Sequence, residues 1–475
     1  MLLGFVGLYI LITLLIGVYF SRFVKTAKDF AVASKKMPIF ITSAAFFATW
    51  FGSETIIGAS AEILDHGVLG IIEEPFGAAL CLLLVGFFFA RSLYNMNLLT
   101  MGDFFRKRYG PKVELIASAF MIFSYFGWIA AQLVAFAIVL QVISGLDLQA
   151  GIWIVAVITF IYTYTGGMWA VSVTDFIQSI AIVVGLLALF VSLLMKAGGD
   201  IMPVINSYPP GFFNFFPNPD PQSLVDYSAA WMIVGLGSII QPDIFQRVMA
   251  ADSDKTASRG ALIGGFMYLT IGMLPLVNVI IVKYLYPEIA SMNGQMVLVN
   301  AVLQHTHVFI QILFFGALLS AVMSTASGAI LAPSTTLAEN IIKPRLTNVS
   351  EKDFLAILRI SVVIITVISV LVANVNQDIY HLVGEASGIN LVSVVVPFIA
   401  GMWFKKSSGL GALLSIFTGI TSWLLVKIFG CNIFGVELPA IIVGFIVSLL
   451  AMVIGSWIQR TDYQSGEPVK NVDFT

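Results

Sequence analysis

The sequence predicts an all-α polytopic membrane protein of about thirteen transmembrane helices, and three observations carry that reading. Hydrophobic residues fill 59% of the 475 positions and charged ones only 11%, a balance foreign to ordinary soluble domains. Apolar stretches long enough to cross a hydrocarbon core of about 30 Å recur along the whole chain. Lysine and arginine gather in alternate intervals between those stretches, the asymmetry that marks cytoplasmic loops.

The first stretch, 2–21, is apolar at once and lacks the basic leader and small-residue cleavage site of a secretory signal, so it reads as a retained span. The others lie at 39–64, 67–90, 113–144, 149–165, 169–195, 225–250, 258–284, 307–342, 354–375, 379–403, 409–428 and 436–458. Basic residues follow the first (Arg22, Lys25, Lys28, Lys35, Lys36) and flank the interval after the third (Arg91, Arg106, Lys107, Arg108, Lys112). They return after the seventh (Arg247, Lys255, Arg259), ninth (Lys343, Arg345, Lys352), eleventh (Lys405, Lys406) and thirteenth (Arg460, Lys470). The other side receives Lys196, Lys283 and Lys427. An odd number of spans with this bias puts the N-terminus outside and the C-terminus in the cytoplasm of a cell (plasma or inner) membrane. Around 197–224, Tyr208-Pro209-Pro210-Gly211 and Pro217-Asn218-Pro219 mark an ordered extracellular loop.

Two spans carry breaks at matching positions. The second contains Trp50-Phe51-Gly52-Ser53-Glu54, and the seventh contains Gly235-Leu236-Gly237 followed by Gln241-Pro242-Asp243. Broken helices at mid-membrane offer free carbonyls to ions and helix ends to solutes. Five spans begin with each, which divides the chain into residues 1–38 (first helix and cytoplasmic loop), 39–197 (repeat 1), 198–224 (extracellular loop), 225–403 (inverted repeat 2) and 404–475 (two further helices and tail).

Several functions are excluded or disfavoured. No GxxxxGK[ST] phosphate loop is present, so uphill movement needs an ion gradient rather than ATP bound here. No HExxH, nucleophile elbow or paired catalytic His and Asp points to an enzyme. A net charge of −2 with no basic face gives nucleic acid no footing. The partners implied are the lipid bilayer and a small solute, with no obligatory protein partner. Cys81 and Cys431 lie far apart without metal-ligand spacing and read as packing residues.

The polar run Ala321-Val322-Met323-Ser324-Thr325-Ala326-Ser327-Gly328 interrupts an apolar span with three hydroxyls. Neutral hard oxygens suit a small monovalent cation, whereas soft donors suit transition metals. Serine and threonine also back-bond within membrane helices, so both readings stand on the run alone. Ionisable residues inside spans are functional candidates by default: Glu54, Glu73, Glu74, Asp243 and Glu385 qualify, with Asp243 placed to pair with Arg247 one turn on. His381 and Glu385 could form a proton-coupling pair or a solvated helix end, and the latter fits its position better.

Ala321 to Thr325, Gly166-Gly167-Met168-Trp169-Ala170-Val171-Ser172-Val173-Thr174-Asp175 and Gln241-Pro242-Asp243-Ile244-Phe245-Gln246-Arg247 resemble signatures of the sodium:solute symporter family, over about 10–460. The resemblance implies a LeuT-type five-plus-five inverted repeat and sodium-coupled symport of a small polar organic solute by alternating access. A proton-coupled transporter or a passive facilitator or channel of the same fold is the alternative. It further implies Na+ as coupling ion, held by the carbonyls of Ala48, Phe51 and Ala321 and the hydroxyls of Ser324 and Thr325. Asp175, with Ser327, matches a second sodium position of some members, although Gly328 replaces a serine there. Trp50, Glu54, Glu74, Trp128 and Gln241 fall at solute-contacting positions. Two indoles near a carboxylate could hold an amine. An amino acid or sugar remains open, because Gln241 stands where the choline branch has a third aromatic residue.

Overall fold

The structure, a computed structural model, describes residues 2–459 except 23, 25, 291 and 292. Lys25, Arg460 and Lys470 of the charge pattern lie outside the described residues. Nearly everything else is helix. The helices that organise the site are α1 (Leu2–Ser21), α2 (Ile39–Trp50), α3 (Ala59–His66), α4 (Pro111–Ser144), α5 (Leu148–Lys196), α6 (Pro221–Gly237) and α7 (Pro242–Ala250). They continue with α8 (Asp254–Ile271), α9 (Val308–Thr336), α10 (Glu351–Val375), α11 (Ile379–Asn390), α12 (Gly409–Phe429) and α13 (Ala440–Ile458).

Nine helices among the described residues are long and apolar enough to cross a bilayer, or up to ten if α6 and α7, bent by 45°, form one span. Three shorter apolar helices, Leu2–Ile16, Ile39–Trp50 and Leu148–Tyr164, accompany them. Both predicted breaks are present: α2 stops at Trp50, and α6 gives way to α7 across Ser238 to Gln241. A third break lies in the span after α3, where Glu74 is extended (φ −137°, ψ 119°).

The sequence expectations need three corrections. The last stretch does not begin as helix at 436, because Val436–Glu437 (β2) pairs antiparallel with Asn432–Ile433 (β1), turned by Phe434 and Gly435 at positive φ. α6 starts at Pro221, inside the predicted loop, because Asp220 caps it by accepting from the Ser223 N–H. Short helices also occupy predicted loops: Ala27–Val32 and Met101–Tyr109, each opened by a capping box (Thr26/Asp29, Thr100/Asp103), and Gly294–His305.

The basic loops meet at one end of the molecule. Lys35 Nζ reaches Asn97 Oδ1 (2.7 Å), Met37 forms a main-chain bridge to Ala251, and the Arg108 guanidinium donates to the Gly401, Phe404 and Lys405 carbonyls. At the other end, the Val68 N–H donates to the Phe212 carbonyl, Tyr208 to Ile280, and Lys196 to His305. The predicted outer loop is thus ordered by packing across its neighbours.

α9 is buried from Phe314 to Thr336 on all sides, as expected of an apolar helix at the centre of a bundle. It lies against α2, α4, α5 and α10. α12 and α13 approach closely through small residues: a Cβ on Gly411 would meet Ser456 Oγ at 2.4 Å, and Ser415 and Ser448 share a 2.7 Å hydrogen bond. α5 joins two predicted spans through Gly167 (φ 54°, ψ −161°), a conformation essentially closed to other residues. A Cβ there would lie 2.8 Å from the Phe30 ring and 3.1 Å from its carbonyl. Gly167→Ala is therefore expected to destabilise the protein by about 1–3 kcal/mol, read as a lowered thermal midpoint in detergent. Gly7→Ala, with open space around the new methyl group, should match the parent.

Candidate functional site

The site grows from the end of α2. Phe51 leaves helical geometry (φ −76°, ψ 76°), and helix resumes at Ser53, running through a wide π-type turn, Glu54–Gly58, into α3. Gly52 is required at the join, because a Cβ would lie 2.7 Å from both Gln132 Oε1 and Thr325 Oγ1 and 2.8 Å from Glu54 Oε2. Main-chain groups released by a break must find partners in a dry interior. The Ser53 N–H donates to Gln132 Oε1 (3.0 Å), and the Ala48 carbonyl accepts from Ser324 Oγ (2.9 Å) and Thr325 Oγ1 (3.3 Å). Three of the five residues expected to hold sodium are therefore in direct contact across α2 and α9. Phe51 sits beside Gly52 at the break and Ala321 one turn before Thr325, both fully buried.

Next to this contact lies a buried polar cluster. Glu54 Oε2 accepts from Gln132 Nε2 (2.7 Å). Glu74 Oε2 is 2.7 Å from the Tyr268 hydroxyl, which is also 2.8 Å from the Trp50 carbonyl and within 2.5 Å of Thr55 Oγ1. Tyr268 has one proton for these acceptors. The Trp50 and Trp128 rings lie 5.8 Å apart at 40°. Trp50 Nε1 donates to Asp243 Oδ2 (3.1 Å), and Tyr125 donates to Asp243 Oδ1 (2.6 Å). Gln241 immediately precedes α7 and donates to Ser238 Oγ (3.2 Å). Glu54 Oε1, Glu74 Oε1, Trp128 Nε1 and Gln241 Oε1 are all buried with no hydrogen-bond partner among the described residues. All five residues expected to contact solute are thus buried and carry or adjoin unspent polar capacity. Glu73, by contrast, is half-buried, with its Oε2 near Gly384.

The expected pairing of Asp243 with Arg247 gives way to a different arrangement. The first turn of α7 aims Asp243 at Trp50 and Tyr125, and Arg247 instead reaches Asp175 on α5 (Nη2 to Oδ2, 3.5 Å) with both side chains fully buried. Ser324 Oγ is 2.5 Å from Asp175 Oδ1, while Ser327 donates to the Ser324 carbonyl (2.9 Å). His381 is exposed beside Asp378, and Glu385 pairs with Lys427, so the histidine and Glu385 have different partners.

Sequence reasoning missed Tyr125, Gln132 and Tyr268, and counted Asp243 among the functional candidates with a pairing to Arg247 as its alternative role. Gln132 alone carried a usable signal, as an amide in the middle of an apolar span.

Comparisons with known proteins bear on the family and the fold. The sodium/proline symporter of Escherichia coli K12 is 28% identical over 477 residues, covering 94% of this chain and 91% of its own. High-affinity choline transporter 1 of Caenorhabditis elegans is 25% identical over 462 residues, covering 89% and 78%. Among solved structures, a substrate-bound, outward-open Na+-coupled sialic acid symporter with a novel Na+ site superposes with a TM-score of 0.82 at 20% identity, over 96% of this chain and 97% of its own. A closed nucleobase-cation-symport-1 family transporter gives 0.58 at 18% identity, over 93% and 96%. These likenesses fix the LeuT-type fold. The model of the sodium:solute symporter family matches residues 30–419, and the chain belongs to that family.

Proposed function

We propose that this chain is a sodium-coupled symporter importing a small solute with a positively charged nitrogen, and that it sits in a plasma or inner membrane with its N-terminus outside. The observation that carries the ion site is the meeting of the Ala48 carbonyl with the Ser324 and Thr325 hydroxyls at the break in α2. A sodium ion with these oxygens, and with the carbonyls of Phe51 and Ala321, would replace the two hydroxyl-to-carbonyl hydrogen bonds by turning the hydroxyl lone pairs toward the cation. The set is uncharged, so sodium can leave. Movement of α9 away from α2 dismantles it, and sodium then favours one conformation by its differential affinity alone.

The polar cluster supports the solute class. Glu54, Glu74 and Asp243 are buried around two indoles, and the nearby guanidinium of Arg247 is engaged with Asp175. A buried carboxylate stays ionised only where a cation or several hydrogen-bond donors face it, so a cationic guest is the natural partner of this set. An ammonium group would satisfy the unpartnered Glu74 Oε1 and Glu54 Oε1, and the Trp50 and Trp128 rings are the aromatic groups that could add cation–π attraction. Proline and choline, the solutes for which two of the relatives are named, both carry such a nitrogen.

Three outcomes test this reading. In detergent, sodium at about a hundred times its dissociation constant should stabilise the parent by roughly 2.7 kcal/mol relative to potassium, and Ser324→Ala/Thr325→Ala should abolish that difference. Unchanged sodium-driven uptake in the double variant would overturn the ion site. In proteoliposomes, Glu74→Gln should weaken binding of a cationic or zwitterionic solute by about 2 kcal/mol or more while retaining the sodium-specific stabilisation. Equal accumulation of uncharged sugars by the parent would remove the solute class. For orientation, Cys431 is half-buried beside the hairpin and Cys81 is fully buried. A membrane-impermeant thiol reagent applied to intact cells should label the chain at Cys431; labelling only after permeabilisation would invert the topology.

A further inference from the structure

Asn390, the last residue of α11, is fully buried, and neither its Nδ2 nor its Oδ1 finds a hydrogen-bond partner among the described residues. Buried amides are ordinarily satisfied, so one with both ends unspent asks for an explanation. Its direction follows from its neighbours on α11, since successive helical residues turn about 100°. Leu382 and Ala386 meet Gly127 of α4, where an added Cβ would lie 2.9 Å from the Leu382 carbonyl oxygen and 3.9 Å from Ala386 Cβ. Ser387 and Leu391 meet Gly237 at the end of α6, where an added Cβ would strike the Ser387 carbonyl and lie 3.2 Å from Leu391 Cβ. Gly388, on the opposite side, faces Ile441 of α13. Asn390 falls about 60° round from Ser387, between it and Ala386, so its amide enters the wedge between α4 and α6. That wedge borders the solute cluster: Trp128 follows Gly127, and hydrogen bonds run from Gln241 to Ser238 (3.2 Å) and on to Ser387 (2.9 Å), one turn before Asn390. α11 also widens into a π-type turn, Leu391–Val395, directly after Asn390, as the chain does at Glu54.

We propose that Asn390 is a solute-recognising residue whose amide, with the Trp128 indole N–H, donates to a carboxylate on the guest, so that the site selects zwitterions over simple cations. The inference rests on the reading above that a positively charged nitrogen meets Glu54 and Glu74. That nitrogen uses acceptors, and the cluster by itself leaves one donor, Trp128 Nε1–H, for the rest of the guest. Asn390 Nδ2 adds two N–H groups. Three donors suit a carboxylate, which only accepts, better than a hydroxyl, which must also give up a proton. The Asn390 amide is neutral, so it can face an anion without being captured by the carboxylates across the site, as an arginine or lysine there would be. An empty amide of this kind is a liability until the guest arrives, because it leaves buried polar groups unpaired, and the same unpaired groups reject a guest that lacks the matching acceptor.

The test is equilibrium binding to the purified full-length chain in sodium, with two pairs of probes that differ by a carboxylate: proline against pyrrolidine, and glycine betaine against choline. The parent should bind the carboxylated member of at least one pair more tightly by about tenfold or more. Asn390→Leu should erase that preference and leave the affinity for the carboxylate-free member unchanged. The thermal midpoint of the solute-free variant should equal or exceed the parent's, because the change removes an unpartnered buried amide; a merely structural asparagine would give a lower one. If the leucine does not fit, Asn390→Ala reads the same preference. A preference that survives in the variants, or an equal loss for both members of a pair, would overturn the proposal. So would a parent that binds pyrrolidine or choline as tightly as its carboxylated partner, a result that leaves the positively charged nitrogen in place. Binding of none of the four removes the nitrogen reading and this inference with it.

Discussion

A chain that stops being helical in the middle of a bilayer must pay its main-chain hydrogen bonds from side chains, and the break after Trp50 organises the protein around that need. The Ser53 N–H finds Gln132 on α4, and the Ala48 carbonyl finds Ser324 and Thr325 on α9. These partners are 79, 276 and 277 residues away in sequence. Satisfying one interrupted turn thus draws three helices to a point, and the point has the donor chemistry of a weak cation site. Gly52 lets them converge, since any larger residue would strike all of them at once.

Charge is distributed around that point with a division of labour. The oxygens at the break are neutral. Carboxylates stand to either side, Glu54 and Glu74 with Asp243 in the polar cluster and Asp175 on α5 against Ser324 of α9, and of these four Asp175 is the one in a salt bridge, with Arg247. Hydrogen bonds from Gln132, Tyr268, Tyr125 and Trp50 occupy one oxygen each of Glu54 and Glu74 and both oxygens of Asp243. What remains open in the cluster is one oxygen each on Glu54, Glu74 and Gln241 and the Trp128 Nε1–H, so the groups left there for a guest are few, three acceptors and one donor.

The spans were legible because hydropathy in lipid is a local property, and the breaks because Gly52, Gly237 and Pro242 interrupt it at equivalent places. The run at 321–328 was legible as a polar interruption because three hydroxyls within four positions of an apolar helix stand out, while its reading as an ion site, with Ala48 and Phe51, came with the family resemblance. The partners were not. Whether Arg247 turns to Asp243 on its own helix or to Asp175 on α5 depends on how α7 is set after the bend, which no local pattern encodes. The short helices at 27–32 and 101–109 escaped for the opposite reason: they are brief and charged, and their only sequence mark is a threonine followed three residues on by aspartate.

The bridge between Met37 and Ala251 has a mechanical consequence. The Met37 N–H donates to the Ala250 carbonyl and its carbonyl accepts from the Asp252 N–H, both at 3.0 Å, with Met37, Ala250 and Ala251 buried. Met37 lies just before α2 and Ala251 just after α7, so a main-chain clasp ties the first broken span of one half to the first broken span of the other. Buried backbone bonds of this kind resist stretching. The two discontinuous helices are therefore yoked at one end as a single lever, and a tilt imposed on either is handed to its counterpart without a side chain having to carry it.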